Sequence, residues 1–153
     1  MEKNFKYLFF IILILFLING CSSKSNPISF NTGTQQSGSL QYTLTTSKSS
    51  YSLNDTLKAA VTVHNTGTET DTIVVGSSLF TWSLQSNNGQ TIMTRGGYNW
   101  VVMLQPVEPG QTLKIYSINQ VIRNESGKSF TAGKYFLDAT MHQVSLSISL
   151  VII

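Results

Sequence analysis

The sequence predicts an all-β fold, an antiparallel β-sandwich of about 7–9 strands, from three observations. Apolar and polar residues alternate with period two in run after run from Leu40 onward. Turn signals separate those runs at spacings of roughly 8–12 residues. Beyond the first twenty residues, almost no stretch carries helical spacing.

The runs come in a clear order. "LQYTLTT" sets Leu40, Tyr42 and Leu44 on one face. "TLKAAVTVHN" sets Leu57, Ala59, Val61 and Val63 against Lys58, Thr62 and His64. "LFTWSLQ" groups Phe80, Trp82 and Leu84, and "TLKIYSI" alternates Leu113 and Ile115 with Lys114 and Tyr116. "KYFLDATM" alternates Tyr135, Leu137, Ala139 and Met141 with polar or outward positions, and "QVSLSISLVII" alternates Val144, Leu146, Ile148 and Leu150 with serines. One face on a core and one in water is the pattern of antiparallel strands. Phe80, Trp82, Val61 and Leu137 are expected in the core. Asn65-Thr66-Gly67, Asn87-Asn88-Gly89, Pro109-Gly110 and Gly133 mark turns. Asn88-Gly89 suits a type I′ hairpin. The stretch "GGYNWVVML" fits either a strand or a short helical turn.

The N-terminus has a different character. Lys3 and Lys6 precede an unbroken apolar run from Tyr7 to Ile18, which ends at Gly20-Cys21. The run is short of the roughly 20 residues that span a bilayer and matches a secretory signal. The chain's one cysteine stands at that boundary. "LINGC" resembles the bacterial lipobox, which implies cleavage between Gly20 and Cys21 and lipidation of Cys21. The expected organisation is a signal peptide at 1–20, a lipidated flexible tether at 21–39 and a β-sandwich domain at 40–153. Residues 22–39, rich in Ser, Asn, Gln, Thr and Gly, read as tether because they offer little apolar surface to bury. The expected location is outside the cell, anchored to a bacterial membrane through the lipid and facing the periplasm or cell exterior.

The chain carries ten Lys and Arg against seven Asp and Glu, a net charge of +3. Lys3, Lys6 and Glu2 belong to the signal, and the remaining charges are scattered. No clustered basic stripe of the kind that binds nucleic acid is present, so a nucleic-acid partner is not expected. His64 and His142 stand far apart, each on the polar face of an expected strand, and no metal-ligand spacing appears. No G-x-S-x-G elbow or P-loop is found. The sequence therefore points to no enzyme activity, no cofactor and no metal. "TRGGYNWVV" has the strongest binding character. Arg95, Tyr98, Asn99 and Trp100 flank a glycine pair, and Arg, Tyr and Trp are enriched at interface hot spots. The alternative is that Tyr98 and Trp100 plug one end of the sandwich.

An ordered set of signatures resembles the intracellular proteinase inhibitor (BsuPI-type) family. They are the "HNTG" turn, "LFTWSLQSNNGQT", "LQPVEPGQTLKIY" and "TAGKYFLDATM", covering Leu40 to Met141. The resemblance implies an Ig-like sandwich and, as a family property, inhibition of a protease. Ser78 and Leu79 stand where the family often has an acidic residue, so no inhibitory residue is carried over. Tyr135, after Gly133, resembles a tyrosine corner, whose hydroxyl bonds back to the upstream backbone. Three functions follow as expectations. The first is a lipid-anchored, non-enzymatic module binding a protein or glycan partner. The second is an envelope proteinase inhibitor. The third is a structural accessory docked through an exposed edge of the C-terminal "VSLSISLVII".

Overall fold

A computed structural model describes residues 31–96, 101–124, 127–142 and 144–153. Gly20, Cys21, Tyr98, Asn99 and Trp100 lie outside the described residues. The chain is an all-β sandwich with eleven strands and one short 3-10 turn, Ser77–Leu79, among the described residues. The strands are β1 (Thr32–Ser37), β2 (Leu40–Thr46), β3 (Ser50–Tyr51), β4 (Thr56–Asn65), β5 (Asp71–Val75), β6 (Phe80–Ser86), β7 (Thr91–Gly96), β8 (Met103–Val107), β9 (Thr112–Val121), β10 (Gly133–Met141) and β11 (Val144–Ile152). They form a four-stranded sheet in the order β1-β2-β4-β9, a five-stranded sheet β3-β11-β10-β6-β7, and a two-stranded ribbon β5-β8.

The four-stranded sheet is one layer. Its inner face meets two partners. The five-stranded sheet covers Leu44, Leu57, Val61 and Ile118 with Trp82, Leu84, Leu137, Leu146 and Leu150. The ribbon covers Leu40 and Val63 with Ile73 and Val107. Phe80, Trp82, Val61 and Leu137 are all buried, as the period-two pattern requires. Tyr135 makes the expected corner: its hydroxyl donates to Thr131 O at 2.9 Å and accepts from Thr131 N at 3.0 Å.

Beyond the strand count, eleven among the described residues against the roughly 7–9 expected, four features differ from the sequence reading. First, residues 32–37, expected in the tether, form β1 and pair along their whole length with β2. Their inward positions do not bury apolar side chains. Instead Asn31 and Gln35 cap the backbone of β11, the first through its side-chain amide to Ser149 O, the second accepting from Ser145 N at 3.1 Å. Gly33 lies between them, and a Cβ there would stand 2.6 Å from Ser147 O.

Second, β11 is consequently not an exposed edge. It lies between β10 and β3, with β1 against the rest of its flank. Third, the β6–β7 hairpin is not a two-residue type I′ turn. Ser86 N donates to Gln90 O and Gly89 N to Ser86 O, both at 2.9 Å, and only Gly89 takes a positive φ, 82°. This is the three-residue loop with a left-handed glycine at its end, held by Asn88 Oδ1, which accepts from Gln90 N. Fourth, His142 sits in the β10–β11 turn at φ 45°, not on a strand face.

The outer face of the four-stranded sheet is polar in register. Thr34, Thr43, Thr62 and Lys114 stand side by side, and Thr32, Thr45, Ala60 and Ser117 form the next row. Lys58 pairs with Asn119 beyond them.

Candidate functional site

The site lies where the ribbon, the edge of the five-stranded sheet and β9 meet. Two β-bulges build it. On β9 the register shifts at Val61/Thr62, so that Lys114 and Tyr116 face successive residues of β4 and Ile115 is extra. An extra residue lets neighbouring side chains turn to one side, and both Ile115 and Tyr116 pack toward the core. On β7 the shift falls at Leu84/Gln85 and makes Ile92 extra. From there Met93 faces Leu84 and Arg95 faces Trp82.

Because directly paired residues share a face, Arg95 emerges on the same side as Trp82, at the rim of the sandwich. An inward-facing charge on an edge strand also discourages edge-to-edge aggregation. Arg95 Nη1 donates to Thr94 O at 2.8 Å.

The result is a pocket of about 430 Å³, lined by Phe80, Trp82, Arg95, Gly96, Val75, Gly76, Met103, Ile115, Tyr116 and Ser117. Its aromatic wall is rigid. Phe80 and Tyr116 stack with ring centroids 4.2 Å apart and an interplanar angle of 7°. The Tyr116 hydroxyl donates to Gly76 O at 2.9 Å and accepts from Gly76 N at 3.0 Å. That clamp ties the end of β5 to β9 and fixes the rings.

Beside the pocket runs an apolar ledge. Val101, Val102, Met103 and Leu104 are 68%, 49%, 58% and 73% exposed, and Val74, opposite Leu104 on the ribbon, is 41% exposed. Gly76 lets this strand pass close, since a Cβ there would lie 2.8 Å from Val101 O. Met103, paired with Val75, lines the pocket, whereas Val74 and Leu104 are paired on the other face of the ribbon, turned to solvent; exposed apolar surface of this kind marks interaction sites.

Of the residues singled out from sequence, Arg95 joins this site. Tyr98, Asn99 and Trp100 lie outside the described residues, as do Gly20 and Cys21. The period-two pattern does not mark Phe80, Trp82 and Tyr116 as pocket walls; it puts the first two in the core and Tyr116 on a polar face. The bulge on β9 has no sequence signal. The apolar run "VVML" was the available clue, but it fits a buried strand equally well.

The remaining chemistry is sparse. His64 Nδ1 lies 2.9 Å from Thr112 Oγ1 and 3.2 Å from Gln111 O, on the outer face. Among the described residues no three His, Cys, Asp or Glu side chains gather as a metal-holding group. Asp71 accepts from Ser39 Oγ and from Thr72 N, and those bonds, the Ser39 one foremost, hold its carboxyl below the usual carboxylate range. No helix among the described residues is long and apolar enough to cross a membrane.

No protein-family model and no curated protein matches the chain. Solved structures give partial likenesses. A Pseudomonas fluorescens alkylpurine DNA glycosylase bound to abasic-site DNA is 12% identical, with TM-score 0.45, over 70% of this chain and 28% of that one. A β-glucosidase from Erythrobacter marinus is 17% identical, with TM-score 0.44, over 82% of this chain and 15% of that one. A β-glucosidase from Listeria innocua in complex with gluconolactone is 13% identical, with TM-score 0.41, over 81% and 16%. The chain thus spans less than a third of each of these proteins, and at such identities and scores they bear on no activity of this one.

Proposed function

We propose that this chain is a lipid-anchored, non-enzymatic module of the bacterial cell envelope that captures a protein partner on the ribbon ledge and in the pocket beside it. One observation carries the reading: four consecutive exposed apolar residues, Val101 to Leu104, adjoin a pocket walled by stacked Phe80 and Tyr116 with Arg95 at its rim. Aromatic and arginine anchors in a pocket, next to apolar surface that excludes water, are the anatomy of a protein-binding hot spot. The partner would present a large apolar side chain to the pocket and wrap the ribbon to set an apolar strip against Val74 and Leu104 on its outer face. The anchor at Cys21 and the start of β1 at Thr32 would keep the domain within about 35 Å of the membrane, at roughly 3.3 Å per extended residue.

Capture from the protein's own membranes tests this. The full chain, Leu104→Asp, Val74→Asp and a control, Val121→Asp, are each used as bait. Val121 is exposed on β9, away from the ledge. A partner retained by the wild type and the control, and lost with both ledge variants at unchanged Tm, supports the proposal. Equal capture by all four baits refutes it. Titration against a subtilisin-like protease separates the inhibitor function: stoichiometric inhibition would replace the proposed reading. Cys21→Ser should abolish lipid attachment and release the protein from membranes; unchanged mass and membrane association would refute the anchor.

A further inference from the structure

We propose that the outer face of the four-stranded sheet is a second binding surface, a platform for an anionic polysaccharide. This does not rest on the ledge and pocket, which open between the layers and at the ribbon. The threonine rows already described form a field of hydroxyl groups across β1, β2, β4 and β9, with the Asn119 amide beyond them. Not one carboxylate stands on those rows; Lys114 stands on the first and Lys58 just beyond the second.

The acidic residues among the described ones lie elsewhere. Glu69, Asp71 and Glu108 gather at the β4–β5 and β8–β9 end, and Asp55 pairs with Lys48 at 3.2 Å in the loop before β4. Asp138 is on β10 of the other layer, whose outer face also carries Lys134 with its ammonium 5.2 Å from the Phe136 ring centroid. The outer face of the four-stranded sheet therefore carries lysines and no carboxylate, with Ala60 and the exposed Val121 as its apolar members, and the other face is mixed in charge.

The cationic face also has relief. Between Lys58 and Lys114 lies a shallow depression of about 390 Å³, lined by Ala60 and Ser117 with Thr45 and Asn119 beside them; its floor is mostly apolar, the kind of surface on which the C–H face of a sugar ring can lie. Lys58 and the β4 residue beside Lys114, Thr62, are four residues apart on one strand, about 13 Å along it. Two cations at that spacing reach along an extended chain better than around a single small anion.

The chemistry discriminates among occupants. The rows carry no aromatic or large aliphatic anchor, which a protein hot spot needs and an interfacial membrane contact needs. They carry no stacking platform for bases. A hydrated, polyhydroxylated chain bearing periodic negative charge matches hydroxyl rows flanked by lysines.

The test is affinity electrophoresis of the full chain, purified in detergent, through gels containing polygalacturonate or neutral dextran. Polygalacturonate should retard the wild type and dextran should not. Lys58→Gln combined with Lys114→Gln, and separately Ala60→Glu, should each raise the apparent Kd by about tenfold, or 1.4 kcal/mol, with Tm unchanged. Lys134→Gln, on the opposite face, should leave Kd within about twofold, the scale of a long-range charge effect screened by salt. No retardation by polygalacturonate overturns the proposal. So does an equal loss with Lys134→Gln, which would mean net charge alone. Capture of phosphatidylglycerol vesicles through Lys58 and Lys114 without polygalacturonate binding also overturns it, in favour of a lipid surface.

Discussion

Replacing Asn65 tests whether the turn after β4 is held by a buried side chain rather than by backbone geometry alone. Asn65 is fully buried. Its Nδ2 donates to Glu69 O and to Val107 O, and its Oδ1 accepts from Gly67 N, all at 2.8 Å. The side chain therefore ties β4, the following turn and the end of β8 together. Asn65→Ala removes three hydrogen bonds at about 1 kcal/mol net each, a loss of about 3 kcal/mol. At roughly 4 °C per kcal/mol for a domain of this size, Tm should fall by about 12 °C. Asn65→Asp is the sharper probe. It keeps an acceptor for Gly67 N but turns a carboxylate toward two carbonyl oxygens. Burial and those oxygens disfavour its charged form, so its folded pKa is raised above the unfolded value. A raised carboxyl pKa means the variant is most stable below the unfolded pKa, about 4, and loses stability as pH rises through the folded value. Thermal melts of wild type, Asn65→Ala and Asn65→Asp at pH 4, 6 and 8 measure this. At pH 8 the aspartate variant should melt below the alanine variant, with the gap closing or reversing at pH 4. An aspartate variant as stable as wild type at pH 8, or one whose deficit is independent of pH, refutes the assignment of Nδ2 as a double donor.

Three further outcomes follow from the packing. Gly33→Val should cost about 1–3 kcal/mol, because its Cβ would meet Ser147 O at 2.6 Å and Ile148 Cγ2 at 2.8 Å; a melt within about 1 °C of wild type would show that β1 does not lie against β11. Tyr116→Phe removes both bonds to Gly76 while keeping the stack on Phe80, and should lower stability by about 1–2 kcal/mol and speed amide hydrogen exchange at Gly76; unchanged exchange would refute the clamp. The Asp71 carboxyl is held low chiefly by Ser39, so its contribution to stability is complete above the unfolded carboxylate pKa and is lost as pH falls through the lower folded value. Asp71→Asn should therefore flatten the acid limb of the stability curve below about pH 4, and an acid limb identical to wild type would refute this.

The sequence reveals strands whose inner face is apolar and hides those whose inner face is not. "TLKAAVTVHN" and "FTWSLQS" alternate cleanly and appear as β4 and β6 over those residues. "TGTQQS" reads as tether because its packing depends on the absence of a side chain at Gly33 and on amides at Asn31 and Gln35 that meet β11. Neither produces an apolar alternation. The ribbon strands "DTIVV" and "MLQPV" are difficult for the opposite reason, since Val74 and Leu104 are apolar on the face turned outward. The tyrosine corner was legible because Tyr135 reaches back only four residues to Thr131, whereas the Tyr116 clamp spans forty residues to Gly76. Arg95 stood out beside Tyr98 and Trp100, yet the aromatic it faces is Trp82, thirteen residues earlier and reached only through the hairpin and its bulge.

The way this sandwich treats its edges says why the ledge is the place to look for function. A sheet edge is a template for unwanted pairing, and folded proteins blunt it. Here β11 is covered by β1, whose Asn31 and Gln35 side chains bond its backbone. At the other margin of the same sheet, β7 carries a bulge and the inward-facing Arg95. In the opposite sheet, β9 is bulged at Ile115 and bears Lys114 and Asn119. Each device discourages association. Val74 and Leu104 stand in contrast, apolar, opposite one another and turned to solvent, in a ribbon whose inner residues Ile73 and Val107 already supply its share of the core. Polar residues at positions 74 and 104 would leave that core intact, so packing does not require the apolar pair. If solubility alone governed this surface, Val74→Thr with Leu104→Thr would be neutral in Tm and would reduce self-association, with no other consequence. If the ledge is a docking surface, the same double variant keeps its Tm and loses its partner. Retention of the partner at wild-type affinity would refute the ledge and leave the pocket to be tested by Arg95→Ala alone.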